Sequence, residues 1–253
     1  MISKAQVKVI RSLHQKKYRE EQKLFIAEGP KIVKELLNSK YCVKEIYATQ
    51  EYNAEDVECD IQEINEKEFA QISALITPNQ VLGVFEIPES IVNINLLQQQ
   101  LVVGLDDIRD PGNLGTIIRI ADWFGINHIL CSETCVDVYN PKVVQATMGS
   151  LSRVNIHYVN LSIVLKQFKL IYATLPEGKN MYDEKLSDNG IILIGNESRG
   201  ISADLLEQVT HKLAIPNFSK GADSLNAAIA TAVICSEFRR NHSPLSSNTS
   251  HRD

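Results

Sequence analysis

The sequence predicts an α/β protein whose C-terminal part contains a mostly parallel sheet flanked by helices. Over residues 101–241, short apolar segments alternate with helical segments, which is typical of such sheets. A smaller α/β unit with alternating helix and strand patterns precedes it over residues 1–87. The mostly polar residues 88–100 are predicted to form a linker, and the serine-rich tail 242–253 is predicted to be disordered.

Individual strands and helices follow from apolar periodicity and from the residues that end each run. Val7, Ile10 and Leu13 lie at helical spacing on a segment rich in lysine and arginine. Gly29 ends an apolar strand, and Pro30 favours the first turn of the helix that follows. The other predicted elements are helices at 30–38 and 65–75 and strands at 24–29, 43–49, 81–87, 101–105, 128–132, 153–159, 170–175, 191–195 and 211–215.

The composition is that of a globular protein, with 44% apolar and 23% charged residues. No apolar run is long enough to span a membrane, and the N-terminus lacks the apolar region of a secretory signal. The five cysteines are scattered, which favours reduced thiols and a cytoplasmic location. No second Cys/His pair accompanies Cys131 and Cys135, so no metal site is expected.

Positive charge is concentrated at the N-terminus, although the whole chain has a net charge of −5. Residues 1–34 contain nine basic and three acidic residues, which gives this segment a net charge of +6. A basic segment attracts a polyanion locally, because exposed charges are screened within about 8–10 Å at physiological salt. By itself the pattern is equally compatible with an RNA-binding surface and with an ordinary solvated helix face.

The first segment with candidate functional residues is GLDDIRDPGNLGTIIRIADWFG, residues 104–125. Asp-Pro-Gly at 110–112 predicts a turn after a buried strand, and Asn113 is well placed as the N-cap of the next helix. Arg119 lies near the apolar stripe of that helix but outside it. The same local pattern is also typical of an ordinary strand–turn–helix unit with a surface arginine.

Two further segments place polar residues directly after predicted strands, where ligands bind in open parallel sheets. In IILIGNESRGIS, residues 191–202, an apolar strand leads into a turn with two glycines. In residues 213–240 a strand ends at Pro216, and Ser-Leu-Asn at 224–226 opens a long helix. Each segment alone also describes a simple β–α turn or a capped core helix. The buried stripe of the long helix is expected to consist of Leu225, Ile229 and Val233.

Motifs of several other enzyme classes are absent from the sequence. No G-x-G-x-x-G follows a strand, and no G-x-x-x-x-G-K-[ST] occurs, so dinucleotide and P-loop nucleotide sites lack support. No G-x-S-x-G sequence is present, and the six histidines show no metal-ligand spacing.

Together, the three segments resemble the signature motifs of the SpoU/TrmH family of RNA ribose 2′-O-methyltransferases. Each motif is weak alone, but all three occur in the family's order over residues 101–240. Residues 1–87 are similar to the substrate-binding domain that precedes the catalytic domain in many ribosomal RNA members. The sequence departs from the family at Asn217, where methionine is usual, and at 227–229, where Val-Ser-Val is usual. The matching residues are Asn113, Gly115, Arg119, Gly195, Asn196, Glu197, Gly200, Ile215, Pro216, Gly221, Ser224, Leu225 and Asn226.

The resemblance implies an enzyme that uses S-adenosylmethionine to methylate a ribose 2′-hydroxyl of RNA. Ribosomal RNA is favoured over transfer RNA because of the N-terminal unit. The resemblance also implies a deep trefoil knot in the C-terminal fold and a homodimer joined beside the knot, features that composition and periodicity do not predict. Two alternatives stay open: a non-catalytic RNA-binding protein that kept the fold, and a small-molecule α/β enzyme with a nucleotide cofactor.

The resemblance also assigns roles to individual residues. Arg119 would help the 2′-hydroxyl lose its proton, and because a free guanidinium is a poor base at neutral pH, an electrostatic role towards the developing alkoxide is favoured over a base role. Asn113 would orient Arg119 or the ribose. Glu197, Asn226 and Ser224 would hold the hydrogen-bond geometry of the site. The expected cofactor pocket consists of Thr174, Leu175, Gly195, Asn196, Gly200, Ile215, Pro216 and Leu225.

Overall fold

The structure of the protein is a computed structural model, which describes residues 1–53, 59–89, 91–219, 221 and 224–241. The tail 242–253, predicted to be disordered, lies outside the described residues. Among those that are described, no helix is both long and apolar enough to cross a membrane.

The N-terminal unit is built on a small mixed sheet. Its elements are α1 (Lys4–Ser12), α2 (Lys16–Gln22), β1 (Leu24–Glu28), α3 (Pro30–Leu37), β2 (Val43–Ala48), β3 (Ile61–Glu63), α4 (Glu66–Ile72) and β4 (Val81–Glu86). The strand order is β1–β4–β2–β3, with β4 antiparallel to both β1 and β2 and with β2 parallel to β3. The predicted α/β character of this unit is confirmed, although β3 was not among the predicted strands.

The C-terminal unit is built on a six-stranded sheet. Its elements are α5 (Ile94–Leu97), β5 (Leu101–Leu105), α6 (Pro111–Trp123), β6 (His128–Cys131), α7 (Pro141–Thr147), β7 (Asn155–Tyr158), α8 (Leu161–Val164), β8 (Ile171–Asn180), β9 (Gly190–Ile194), α9 (Ala203–Leu206), β10 (His211–Ala214) and α10 (Ala227–Arg239). The strand order is β10–β8–β9–β5–β6–β7, and every neighbouring pair is parallel. The predicted parallel sheet is confirmed, and the carboxyl ends of its strands lie at one edge.

The segment predicted as a linker, residues 88–100, contains regular structure. It includes the short helix α5, whose Leu97 is only 1% exposed and belongs to the apolar core on one face of the large sheet. Because the residues around Leu97 are mostly polar, the sequence did not indicate that Leu97 is buried. The two units are therefore joined by a segment that packs on the sheet.

The helix of the first motif begins earlier than the sequence predicts. Asn113 is not its N-cap; α6 begins at Pro111, and the side chain of Asp110 accepts a hydrogen bond from the Asn113 N–H at 2.8 Å. Aspartate followed by proline is a strong helix start, because proline is favoured at the first helical position and aspartate caps the free N–H groups. The side chain of Asn113 is thus available for contacts outside its own helix.

The predicted buried stripe of α10 is wrong. Leu225 is 47% exposed and Ile229 is 53% exposed, and Val233 is only partly buried. Small side chains let the opposite face approach α6 closely, and that packing decides which face is buried. The buried residues of α10 are Ala227, Ala228, Thr231, Ile234, Cys235 and Phe238.

Helices α6 and α10 run parallel to each other. At their N-terminal ends the side chain of Asn226 contacts Asn113, with 2.9 Å between Nδ2 and Oδ1. At their C-terminal ends the Arg239 Nε donates to the Phe124 carbonyl oxygen at 2.9 Å. Contacts at both ends fix the register of the two helices, and so the relative positions of the loops that precede them.

The two units share an apolar core and are joined by a buried ion pair. Phe25 and Tyr41 of the first unit contact Tyr139 of the second, with ring centroids 4.7 and 6.5 Å apart. Arg19, which is 2% exposed, donates from Nε and Nη2 to Asp137 Oδ2 at 2.9 and 2.5 Å. Its Nη1 donates to the Leu13 carbonyl oxygen at 2.8 Å. These aromatic contacts and the buried ion pair therefore fix the orientation of the N-terminal unit relative to the C-terminal unit.

We predict that Arg19→Met lowers the free energy of unfolding by about 3–5 kcal/mol, because it leaves Asp137 without its buried cation. Urea denaturation followed by circular dichroism measures this loss. The matched control is Lys16→Met, which removes an exposed ion pair with Glu20 and should cost under about 1 kcal/mol. Equal effects of the two substitutions would show that the Arg19 ion pair does not hold the units together.

Candidate active site

The three motif segments meet at the carboxyl edge of the large sheet. The first motif follows β5, the second follows β9 and the third follows β10, and β5 and β9 are neighbours in the sheet. Because all six strands are parallel, the loops after them leave the sheet on the same side. The topology therefore brings the three sequence motifs to one place.

A chain of two hydrogen bonds joins the motifs through Asn113. Asn226 donates from Nδ2 to Asn113 Oδ1 at 2.9 Å, and Asn113 donates from Nδ2 to Glu197 Oε1. We call these three side chains the Asn113 junction. Each belongs to a different motif, so a single amide group connects the loops that follow β5, β9 and β10.

The direction of these hydrogen bonds is set by the start of α10. Asn226 is the N-cap of that helix, and its Oδ1 accepts from the N–H groups of Ala228 and Ile229 at 2.9 and 3.3 Å. Its amide nitrogen must then face Asn113, whose oxygen accepts and whose own nitrogen donates. The carboxylate of Glu197 ends the chain as a pure acceptor. The polarity of the junction thus follows from ordinary helix capping.

The second motif forms a compact turn at residues 195–200. The backbone groups of Asn196 and Gly200 exchange hydrogen bonds of 3.0 and 2.8 Å, and a Cβ at Gly195 would overlap the backbone of Gly200. Gly200 itself has a φ of +68°, which favours glycine. The side chain of Asn196 donates to the Asp107 carbonyl oxygen at 2.9 Å. The turn is therefore stabilised by its own backbone hydrogen bonds, and the Asn196 side chain connects it to the first motif.

Asp106 is a site residue that the sequence did not single out. It is 7% exposed, and its Oδ2 accepts hydrogen bonds from the N–H and the hydroxyl of Ser202, both at 2.8 Å. This contact attaches the residues after the second-motif turn to the end of β5. The signal in the sequence is an acidic residue directly after a buried strand, where burial of a carboxylate requires hydrogen-bond partners.

Asp107 forms ion pairs with two arginines at the carboxyl edge of the large sheet. It has a positive φ of 57°, and its carboxylate contacts Arg109 Nε at 2.7 Å and Arg199 Nη1 at 3.8 Å. Desolvation raises the pKa of the Asp107 carboxyl, but hydrogen bonds from Arg109 and Thr134 outweigh it and keep that pKa below its usual range. Asp107 thus stays ionised and holds one arginine from each of two motif loops.

A cleft of about 480 Å³ opens beside the second-motif turn, at the ends of β5, β6 and β7. Asp107, Arg109 and Arg199 line it together with Ser132 and Glu133. The residues of the expected cofactor pocket in β8 and after β10 do not line this cleft. The carboxyl edge thus contains a cleft beside the second motif that the sequence did not predict.

The residues of the expected cofactor pocket follow the neighbouring strands β8, β9 and β10. The register of β8 against β10 jumps from Ala173 to Lys179, so residues 174–178 form a bulge at this edge. Leu175 is buried within it, whereas Ile215 and Pro216 are half-buried and Ser224 and Leu225 are exposed. The structure therefore brings residues 174–178, 195–200, 215–219 and 224–226 to one edge.

Arg119 forms no hydrogen bond with the side chains of the Asn113 junction. Its side chain is exposed on α6 and forms no hydrogen bond or ion pair with any residue that the structure describes. The Asn113 amide contacts Glu197 and Asn226, and no hydrogen bond joins it to Arg119, so the expectation that Asn113 orients Arg119 or the ribose stays a prediction. Arg119 instead shares its helix face with Trp123, one turn later, which is 84% exposed.

The structure offers no cluster of protein ligands for a metal ion within its described ranges, where no group of three or more His, Cys, Asp or Glu residues comes together. Cys131 and Cys135 are both buried and free.

Comparison with known proteins agrees with this geometry. The SpoU rRNA Methylase family matches residues 100–236, and the MRM3-like substrate binding domain matches residues 4–83. The sequence is 32% identical over 241 residues to the 23S rRNA (guanosine(2553)-2′-O)-methyltransferase RlmP of Bacillus subtilis, covering 92% of this chain and 95% of that protein.

Solved structures show the same similarity over nearly the whole fold. An AdoMet-bound rRNA methyltransferase from Sinorhizobium meliloti is 32% identical with a TM-score of 0.85, covering 96% of this chain and 97% of that one. A TrmH-family structure from Porphyromonas gingivalis is 37% identical with a TM-score of 0.84, covering 95% and 99%. The family match over more than half of the chain includes all three motifs that meet at Asn113, and the chain belongs to the SpoU rRNA methylase family.

Proposed function

We propose that this chain transfers the methyl group of S-adenosylmethionine to a ribose 2′-hydroxyl of ribosomal RNA. The observation that carries the proposal is the Asn113 junction, which assembles the three family motifs at one edge of the sheet. Ribosomal RNA is favoured because the N-terminal unit matches a substrate-binding domain and because the Bacillus subtilis relative acts on 23S rRNA. Transfer RNA is the weaker alternative. We also propose a cytoplasmic location, where the five free cysteines stay reduced.

The residues at the carboxyl edge fit S-adenosylmethionine. The hydroxyl oxygen of Thr174 is buried and has no hydrogen-bond partner within the described chain, so it is available to a polar ligand. At Gly195 only a residue without a Cβ allows the turn, because the backbone of Gly200 fills that space. When bound, S-adenosylmethionine supplies a methyl group on a sulfonium. The residues that would hold it are Thr174, Leu175, Gly195, Asn196, Gly200, Ile215, Pro216 and Leu225.

The acceptor hydroxyl needs stabilisation of the negative charge that develops when its proton leaves. Arg119 is suited to this role because its guanidinium is exposed and has no carboxylate partner among the described residues. Its permanent positive charge stabilises the negative charge on the ribose oxygen or contacts the adjacent phosphate, and the proton of the 2′-hydroxyl passes to solvent. Glu197, Asn226 and Ser224 hold the loops that position the acceptor, with Asn113 between the first two.

We predict that Arg119→Ala lowers methyl transfer by about 100-fold or more, as expected when one charge-stabilising group is removed. Transfer of a radiolabelled methyl group to ribosomal RNA, followed by alkaline hydrolysis, measures the 2′-O-methylated product. Binding of S-adenosylmethionine, measured by calorimetry, should stay nearly unchanged in this variant. Arg119→Lys is the matched control, because it keeps the charge and should retain part of the activity. Turnover near that of the wild type in Arg119→Ala would overturn the role of this residue.

We further propose that the chain forms a homodimer through the outer faces of α6 and α10. These two packed helices leave Trp123 and Ile229 exposed, although each is a large apolar side chain. An exposed apolar face beside a functional site is typical of a protein interface. A second copy of the chain supplies a matching face, because in a two-fold dimer the same patch covers itself. This arrangement also places Arg119 at the contact between two copies.

We predict that Ile229→Glu converts the dimer to a monomer, because it buries a carboxylate in the apolar contact. Sedimentation equilibrium measures the mass, and Trp123, the chain's only tryptophan, reports burial through its fluorescence. The wild type should emit at a shorter wavelength than Ile229→Glu. Ile163→Glu makes the same change at an exposed residue of α8 and should stay dimeric. A monomeric wild type would rule out the dimer.

A further inference from the structure

A groove of about 680 Å³ separates α1 from α2 in the N-terminal unit, and its lining has the composition of a nucleic-acid site. Lys8 and Arg11 stand on the α1 wall, and both are exposed. Tyr18 lies on the α2 wall, half-buried, with Val9 exposed opposite as a further apolar surface. Gln15 and Gln22 also line the groove. Cations, an aromatic ring, and amide groups thus face the same space.

The charges of this groove are free to act on a ligand. Within the described part of the chain, neither Lys8 nor Arg11 forms an ion pair and no carboxylate lines the groove. The cleft beside the second-motif turn differs, because Asp107, Glu133 and Asp204 line it. A phosphate backbone is therefore attracted more strongly to the α1–α2 groove than to the cleft, where carboxylates outnumber arginines.

The groove is held at the same edge of the sheet as the candidate active site. Arg19, next to Tyr18 in α2, contacts Asp137 in the loop that follows the carboxyl end of β6. The same guanidinium donates to Leu13 at the end of α1, so one side chain fixes both walls of the groove. Arg19 therefore ties the walls of the groove to the loop after β6, which also contributes Ser132 and Glu133 to the cleft at the carboxyl edge.

We propose that this groove binds an unpaired nucleotide of the RNA substrate. The base stacks on Tyr18, and Lys8 and Arg11 contact the phosphates on either side of it. Stacking on an aromatic ring flanked by cations is how proteins hold single-stranded nucleic acid without reading its sequence. A base-paired helix does not expose a base face to Tyr18. The inference rests on the proposed function in taking RNA as the substrate, and it adds that the N-terminal unit holds a single-stranded part of that RNA.

The test measures the affinity of the full chain for a short fluorescein-labelled oligoadenylate by fluorescence anisotropy. Tyr18→Ala should weaken binding about tenfold, the size of the loss when one stacked base is released. Tyr18→Phe keeps the ring and should bind like the wild type. Lys8→Glu with Arg11→Glu should weaken binding and lower the slope of log affinity against log salt by about 1.4, or about 0.7 for each lost phosphate contact.

The matched charge control is Lys169→Glu, an exposed change just before β8 at the opposite edge of the sheet, which should leave affinity unchanged. Wild-type affinity in Tyr18→Ala, equal competition by duplex RNA, or no binding by the wild type would each overturn the subsite. Binding is measured without methyl transfer. A wild type that binds the oligoadenylate through Tyr18 but transfers no methyl group would therefore refute the proposed function and leave the subsite in place.

Discussion

The amide of Asn113 accepts a hydrogen bond from Asn226 and donates one to Glu197, and the arrangement of the site depends on these two contacts. They connect loops that follow three different strands and are far apart in the chain. The donor and acceptor roles in these hydrogen bonds follow from the N-cap of α10, which fixes the orientation of the Asn226 amide. Because α6 begins at Pro111 and not after Asn113, the Asn113 side chain is free to take this position.

The same edge of the sheet receives the N-terminal unit. Arg19 attaches α2 to the loop after β6, and Tyr139 from the same stretch packs on Phe25. A rigid attachment matters for an enzyme that acts on a long polymer, because positioning the reacting group contributes much of the rate. A basic unit that moved freely would hold RNA without presenting one ribose. The net negative charge of the whole chain is compatible with this, since the positive charge is local.

The sequence predicted the parallel sheet well, because strands buried on both faces are continuous apolar runs with clear ends. It predicted the convergence of the three motifs through their resemblance to the family. It did not predict the start of α6, since both Asp110 and Asn113 are good caps and only the fold selects one. The buried face of α10 was predicted wrongly because Ala227 and Ala228 are buried by close packing on α6, which the periodicity of large apolar residues does not indicate. The trefoil knot stays a prediction from the resemblance, because the passage of the chain through a loop does not change the spacing of apolar residues in the sequence.

The most direct test of this account is a double-mutant cycle at Asn113 and Asn226, measured as the affinity for S-adenosylmethionine by calorimetry. If the two amides act as one unit, the Asn113→Ala and Asn226→Ala variants should each weaken binding, and the double variant should be little weaker than either. The account predicts a coupling free energy above about 0.5 kcal/mol. Losses that add within that margin would show that the two loops bind independently and would contradict it.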